Sequence, residues 1–191
     1  MVKKLILGGI FGGVVLFAWG ALSWMVLPWH RSTIQKFGQE NVVEVVLAAN
    51  APTAGVYIVP NACPLKTPDK TARQAAQKKA ETGPFAFVVV SPKGVGPMKR
   101  NMIREFAIQI LAAMFITTLL LRLGKTSYGN RVVSAVLFAF AASLVTEVSN
   151  WNWWGFPLNF TLAACADLLV GWFLAGLVIA KIAEPGKGSR S

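Results

Sequence analysis

From Val132 to Ile182 the chain consists of two long apolar runs whose only charged residues are Glu147, Asp167 and Lys181. The runs are joined by Ser149-Asn150-Trp151-Asn152-Trp153-Trp154-Gly155-Phe156-Pro157, a stretch without charge. Two runs of this length read as helices crossing the ~30 Å hydrocarbon core of a bilayer. The joining stretch reads as an interfacial loop: the rings of Trp151, Trp153, Trp154 and Phe156 lie against lipid at headgroup level, and the indole N–H groups reach water.

Composition agrees. Of 191 residues, 54% are hydrophobic and only 14% charged, which places the chain outside the range of an ordinary soluble domain. The net charge of +11 has a simpler cause than nucleic-acid binding, because eight of the cations flank apolar runs. These are Lys3, Lys4, Arg122, Lys125, Arg131, Lys181, Lys187 and Arg190, and they read as topology signals. Two cysteines, Cys63 and Cys165, have neither a Cys-x-x-Cys spacing nor a neighbouring histidine, so no disulfide framework, metal site or thiol-exchange pair is expected.

The expected fold is membrane α-helical, with four transmembrane helices and a small α/β extracytoplasmic domain inserted between helices 1 and 2. Residues 1–28 form the first span as a retained signal-anchor, ended by Pro28. Gly8 and Gly12, with Gly9 and Gly13, form overlapping small-xxx-small pairs that let another backbone approach. Residues 29–101 read as the basic α/β domain. In it Ser32 or Thr33 caps a short helix, a helix runs through Val42 to Leu47, and strands lie at Gly55–Val59 and Phe85–Val90. A surface helix follows Thr67-Pro68-Asp69, read as an N-cap, a first-turn proline and an early acid. Residues 102–191 hold the other spans, at about 102–123, 132–149 and 158–181, and a short tail. The cations then share one side with both termini, which the positive-inside rule makes the cytoplasm, most naturally that of a bacterial inner membrane.

Spacing by four puts side chains on one helical face. Three such stripes appear: Glu105, Gln109, Ala113, Thr117; Ala135, Ala139, Ser143, Glu147; and Asn159, Ala163, Asp167, Gly171, Ala175. They are expected to meet in the bundle centre, because small residues allow the close packing that helices need in lipid. Asp167 lies ~12 Å along its helix, where lipid exposure of a carboxylate costs ~2.5 to 3.5 kcal/mol. It is therefore expected to face inward, either on a proton or cation path or as a neutral acid bonded to Thr117, Ser143 or a backbone carbonyl. Glu147, near the loop, is expected to reach water or pair with His30 or Arg104. His30, the only histidine, reads as a solvated or capping group at the interface, and imidazole chemistry leaves pH sensing open.

No catalytic, cofactor-binding or metal-ligating set is found, and no Walker loop or dinucleotide fingerprint. The leading functional reading is a non-enzymatic integral membrane protein, an accessory or scaffold subunit that binds another membrane protein or self-associates. The alternative is a small oligomeric transporter or channel using Asp167. A third is a membrane enzyme working on lipid-like substrate through Glu147, His30 and the tryptophans.

Overall fold

The computed structural model describes residues 1–184; Lys187 and Arg190, read above as topology signals, lie outside them. The described chain divides into two units, one of residues 1–35 with 97–184 and one of Lys36–Gly96.

The first unit is helical. α1 (Val2–Met25) ends at Pro28, after which α2 (Trp29–Thr33) makes a single turn. The other helices of this unit are α5 (Met98–Arg122), α6 (Tyr128–Ser143), α7 (Ser149–Trp154) and α8 (Leu158–Ala183). A π-turn at Leu144–Val148 joins α6 to α7 without a break. Four helices are long and apolar enough to cross a membrane: α1, α5, the continuous α6–α7 rod and α8.

Glycines bring α1 against α5. Gly8, Gly9, Gly12 and Gly13 are all buried. A Cβ on Gly13 would lie 2.7 Å from Ile110 Cα and 2.9 Å from its N, so only hydrogen fits there. The pairs Gly8 with Thr117 and Gly13 with Ile110, and Phe17 stacked edge-on against Phe106 at 5.3 Å, show the two helices running antiparallel. α8 packs on α1 through Gly171 against Trp19 and Leu16, and on α6 through Gly176 against Ala135. The core of this unit includes a group made of Ala113, Ile116, Ala135, Ala139, Ala175 and Ile179. These six fall on the three stripes or one turn from them, while Leu16 joins the core from α1. α5 and α6 touch little, and a groove stays open between them.

The sequence reading of residues 149–157 as a loop is replaced by helix through Trp154. Gly155, at φ 68°, supplies the left-handed ending that a Cβ would resist, and Pro157 opens α8. Arg131 also does more than mark topology. It is 1% exposed, and its guanidinium donates to the carbonyls of Leu120 and Gly124, closing the C-terminal end of α5. Lys4 donates likewise to the carbonyl of Glu184 beyond α8. Ser32 and Thr33 lie in the last positions of α2 and donate back to Trp29 O and His30 O, so they close that turn rather than open a helix.

The second unit contains α3 (Glu40–Asn50), β1 (Gly55–Val59), α4 (Lys70–Thr82) and β2 (Ala86–Val90). The strands form one antiparallel two-stranded sheet, with Gly55 opposite Val90 and Val59 opposite Ala86. The cap of α4 is Asp69, whose carboxylate accepts the Thr71 N–H at 2.9 Å; Thr67 lies outside the cap. Very little of this unit is buried. Val45 is 69% and Val89 70% exposed, and Ala51 is the only buried hydrophobic residue among those of the unit.

Candidate functional site

The polar cluster of the helical unit forms where α1 stops. Pro28 cannot continue the helix, and the turn it starts, α2, packs against α8. That turn carries His30 inward, to 2% exposure. Its Nε2 lies 3.1 Å from Ser23 Oγ and 3.4 Å from Asp167 Oδ2. Trp29 Nε1 donates to Ser23 Oγ at 2.9 Å, and Trp19 Nε1 donates to the backbone carbonyl of Asp167 at 3.1 Å.

Aromatic rings enclose the cluster. Trp24 stacks flat on the imidazole, with centroids 3.9 Å apart and planes at 6°. Trp29 meets the same ring edge-on at 5.7 Å, and Trp19 meets Trp29 edge-on at 6.0 Å. A ring face of tryptophan is a favourable neighbour for an imidazolium, because the π-cloud is negative. The other carboxylate oxygen, Asp167 Oδ1, is buried without a hydrogen-bond partner.

The indole of Trp29 always donates, so Ser23 Oγ is an acceptor in that contact. If Nε2 carries hydrogen, it is shared between Ser23 Oγ and Asp167 Oδ2. A bare Nε2 would instead accept the hydroxyl hydrogen of Ser23. Although the residue types are serine, histidine and aspartate, the order is not that of a nucleophilic triad, in which nucleophile and orienting acid use opposite ring nitrogens of the base. Here both partners share Nε2, and Ser23 has no exposed surface.

The partners expected of Asp167 are satisfied elsewhere. Thr117 donates to Ala113 O at 2.7 Å and Ser143 to Phe140 O at 2.8 Å, each on its own helix. Glu147 is half-buried and accepts from the Thr146 hydroxyl at 3.2 Å; among the described residues no ion pair joins it to His30 or Arg104. The π-turn that contains it adds a residue, so Glu147 no longer falls in line with Ser143. Gln109 donates to Glu105 at 2.6 Å, and Asn159 accepts the N–H of Phe160 in the first turn of α8. Neither reaches the cluster. Trp151 and Trp153 are exposed, and Phe156 packs on Phe160 at 5.6 Å.

Sequence reasoning missed Ser23, Trp19, Trp24 and Trp29 as surroundings of His30 and Asp167. One signal was present: the only histidine follows a helix-ending proline, and the chain holds a single aspartate deep in an apolar run. No group of three or more His, Cys, Asp or Glu among the described residues is arranged to hold a metal ion. No family model, curated protein or solved structure matches the chain, so the cluster is interpreted from its own geometry.

Proposed function

We propose that the chain is an integral membrane protein with its cationic end in the cytoplasm of a bacterium, and that it acts as a non-catalytic subunit binding a partner protein through the Lys36–Gly96 unit. The observation that carries this reading is the uncovered apolar surface of that unit. Val42, Val45 and Val46 lie on one face of α3 and are all more than half exposed. Val56 and Val89 are directly paired on one face of the sheet and are also more than half exposed. A lone two-stranded sheet is marginal in water, and exposed apolar patches of this kind mark interaction surfaces.

The test is photo-crosslinking in native membranes, with the crosslinker at Val45 or at Val89 and adducts identified by mass spectrometry. The expected result is one discrete protein adduct from both positions, reduced at least about fivefold when the other patch carries a Val→Lys change, in line with the loss of one buried valine contact. Adducts to lipid only, or none, would sink the reading.

A second reading, a small oligomeric transporter or channel, is favoured by one specific observation. Asp167 Oδ1 is buried and unpartnered beside an imidazole, an arrangement that leaves an acceptor open to a cation.

A further inference from the structure

The groove between α5 and α6 has a volume of about 610 Å³. Its walls are Ala112, Phe115 and Leu119 on one side and Phe138 on the other, Trp172 of α8 lies behind them, and Arg122 stands at one end. Phe138 and Trp172 meet edge-on at 6.0 Å, which fixes the back of the groove. From Ala112 to Arg122 the groove is about 15 Å long at 1.5 Å per residue, half of a ~30 Å hydrocarbon core. An occupant therefore spans a single leaflet, and a helix crossing the whole core would overrun the groove.

The charge at its end is uncompensated. Arg122 is exposed and has no ion pair among the described residues. The carbonyls at the end of α5 are already served by Arg131, so Arg122 is not needed to cap its own helix. Lys125 follows three residues later and adds to the positive charge of this end.

We infer that this groove binds one anionic phospholipid of the leaflet on the cationic end, with an acyl chain along Phe115, Leu119 and Trp172 and the phosphate at the Arg122 guanidinium. Guanidinium and phosphate match in charge and geometry. The inference rests on the membrane reading above and goes beyond it.

The experiment reads quenching of Trp172. Full-length protein is reconstituted into phosphatidylcholine vesicles containing increasing fractions of bromine-labelled phosphatidylglycerol or bromine-labelled phosphatidylcholine, and the Trp172 contribution is the difference between wild type and Trp172→Phe. The expected result is saturable quenching at low label, with phosphatidylglycerol preferred about fivefold, the contribution of one cation near an anionic headgroup. Arg122→Gln should bring the preference to about one, and Ala112→Phe, which shortens the groove, should weaken the saturable component for both lipids. Equal quenching by both lipids in wild type, a preference unchanged in Arg122→Gln, or a Trp172 that no lipid reaches because another helix covers it, would each overturn the lipid site. Alkaline carbonate extraction of native membranes separates the two readings: a protein that washes off ends the membrane reading itself, whereas a retained protein without lipid preference ends only this one.

Discussion

His30 Nε2 faces both Ser23 and Asp167, and this sharing makes substitutions at Asp167 informative. Asn keeps the shape and an acceptor, so Asp167→Asn is expected to leave the thermal midpoint of the purified protein nearly unchanged and partner crosslinking intact. Asp167→Leu removes one of the two groups facing the imidazole in a buried site and should cost about 1–3 kcal/mol, read as a lower midpoint in a detergent melt. Under the transport reading the Asn variant separates the cases: it would fold normally and lose pH-dependent flux in proteoliposomes, because an amide does not exchange the proton. Full stability of the Leu variant would show that the residue does not depend on this contact. Arg131 gives a second expectation at the same scale. Arg131→Met removes the donors to Leu120 and Gly124 and should cost about 1–3 kcal/mol, with Lys restoring little because it lacks the planar fork. Asp167 was legible in the sequence as a charge where lipid does not tolerate one. Its partner was not, because the pairing with His30 bridges 137 positions and depends on how one turn after Pro28 folds back.

Among the elements, α1 and α5 are the pair whose contact is most tightly specified. A methyl group at Gly13 would collide with the backbone of Ile110, which has no rotamer to escape into, whereas one at Gly20 meets nothing within 4 Å. Gly13→Ala is therefore expected to destabilise the helical unit by about 1–3 kcal/mol and Gly20→Ala to leave it unchanged or slightly firmer, with a detergent melt of both variants as the check. Equal midpoints would contradict the close approach. The four-residue spacing of small residues made these faces readable, since close packing of helices leaves that periodic trace. Two features left none. The π-turn at Leu144–Val148 inserts its extra residue into an unbroken apolar pattern, and the tryptophan stretch has the composition of a loop although its backbone continues as helix to Gly155. In unit Lys36–Gly96 the helix at α4 was legible from its capping order, but Asp69 rather than Thr67 accepts the first-turn N–H, one of several side chains chemically able to do so.

For the whole molecule, the antiparallel order of α1, α5, α6 and α8 places Lys3, Lys4, Arg122, Lys125, Arg131 and Lys181 at one end of the helical unit. If that end is cytoplasmic, a membrane-impermeant thiol reagent applied to intact cells should label Cys63, which is exposed, and a cysteine at Asn152, while a cysteine at Ser127 stays protected. Cys165→Ala provides the clean background, and the reverse labelling pattern would invert the topology. The pairing of α1 with α5 also orders events during synthesis. The glycine face of α1 is made first, yet the helix that fills it is completed about 100 residues later, so at roughly 5–20 residues per second α1 spends on the order of 5–20 s in the bilayer before its mate emerges from the ribosome. With that end in the cytoplasm, the Lys36–Gly96 segment would be made and exported within the same interval, and the nascent chain with a single inserted helix would be a distinct biogenesis intermediate, its notched face open to whatever insertion factor meets it first.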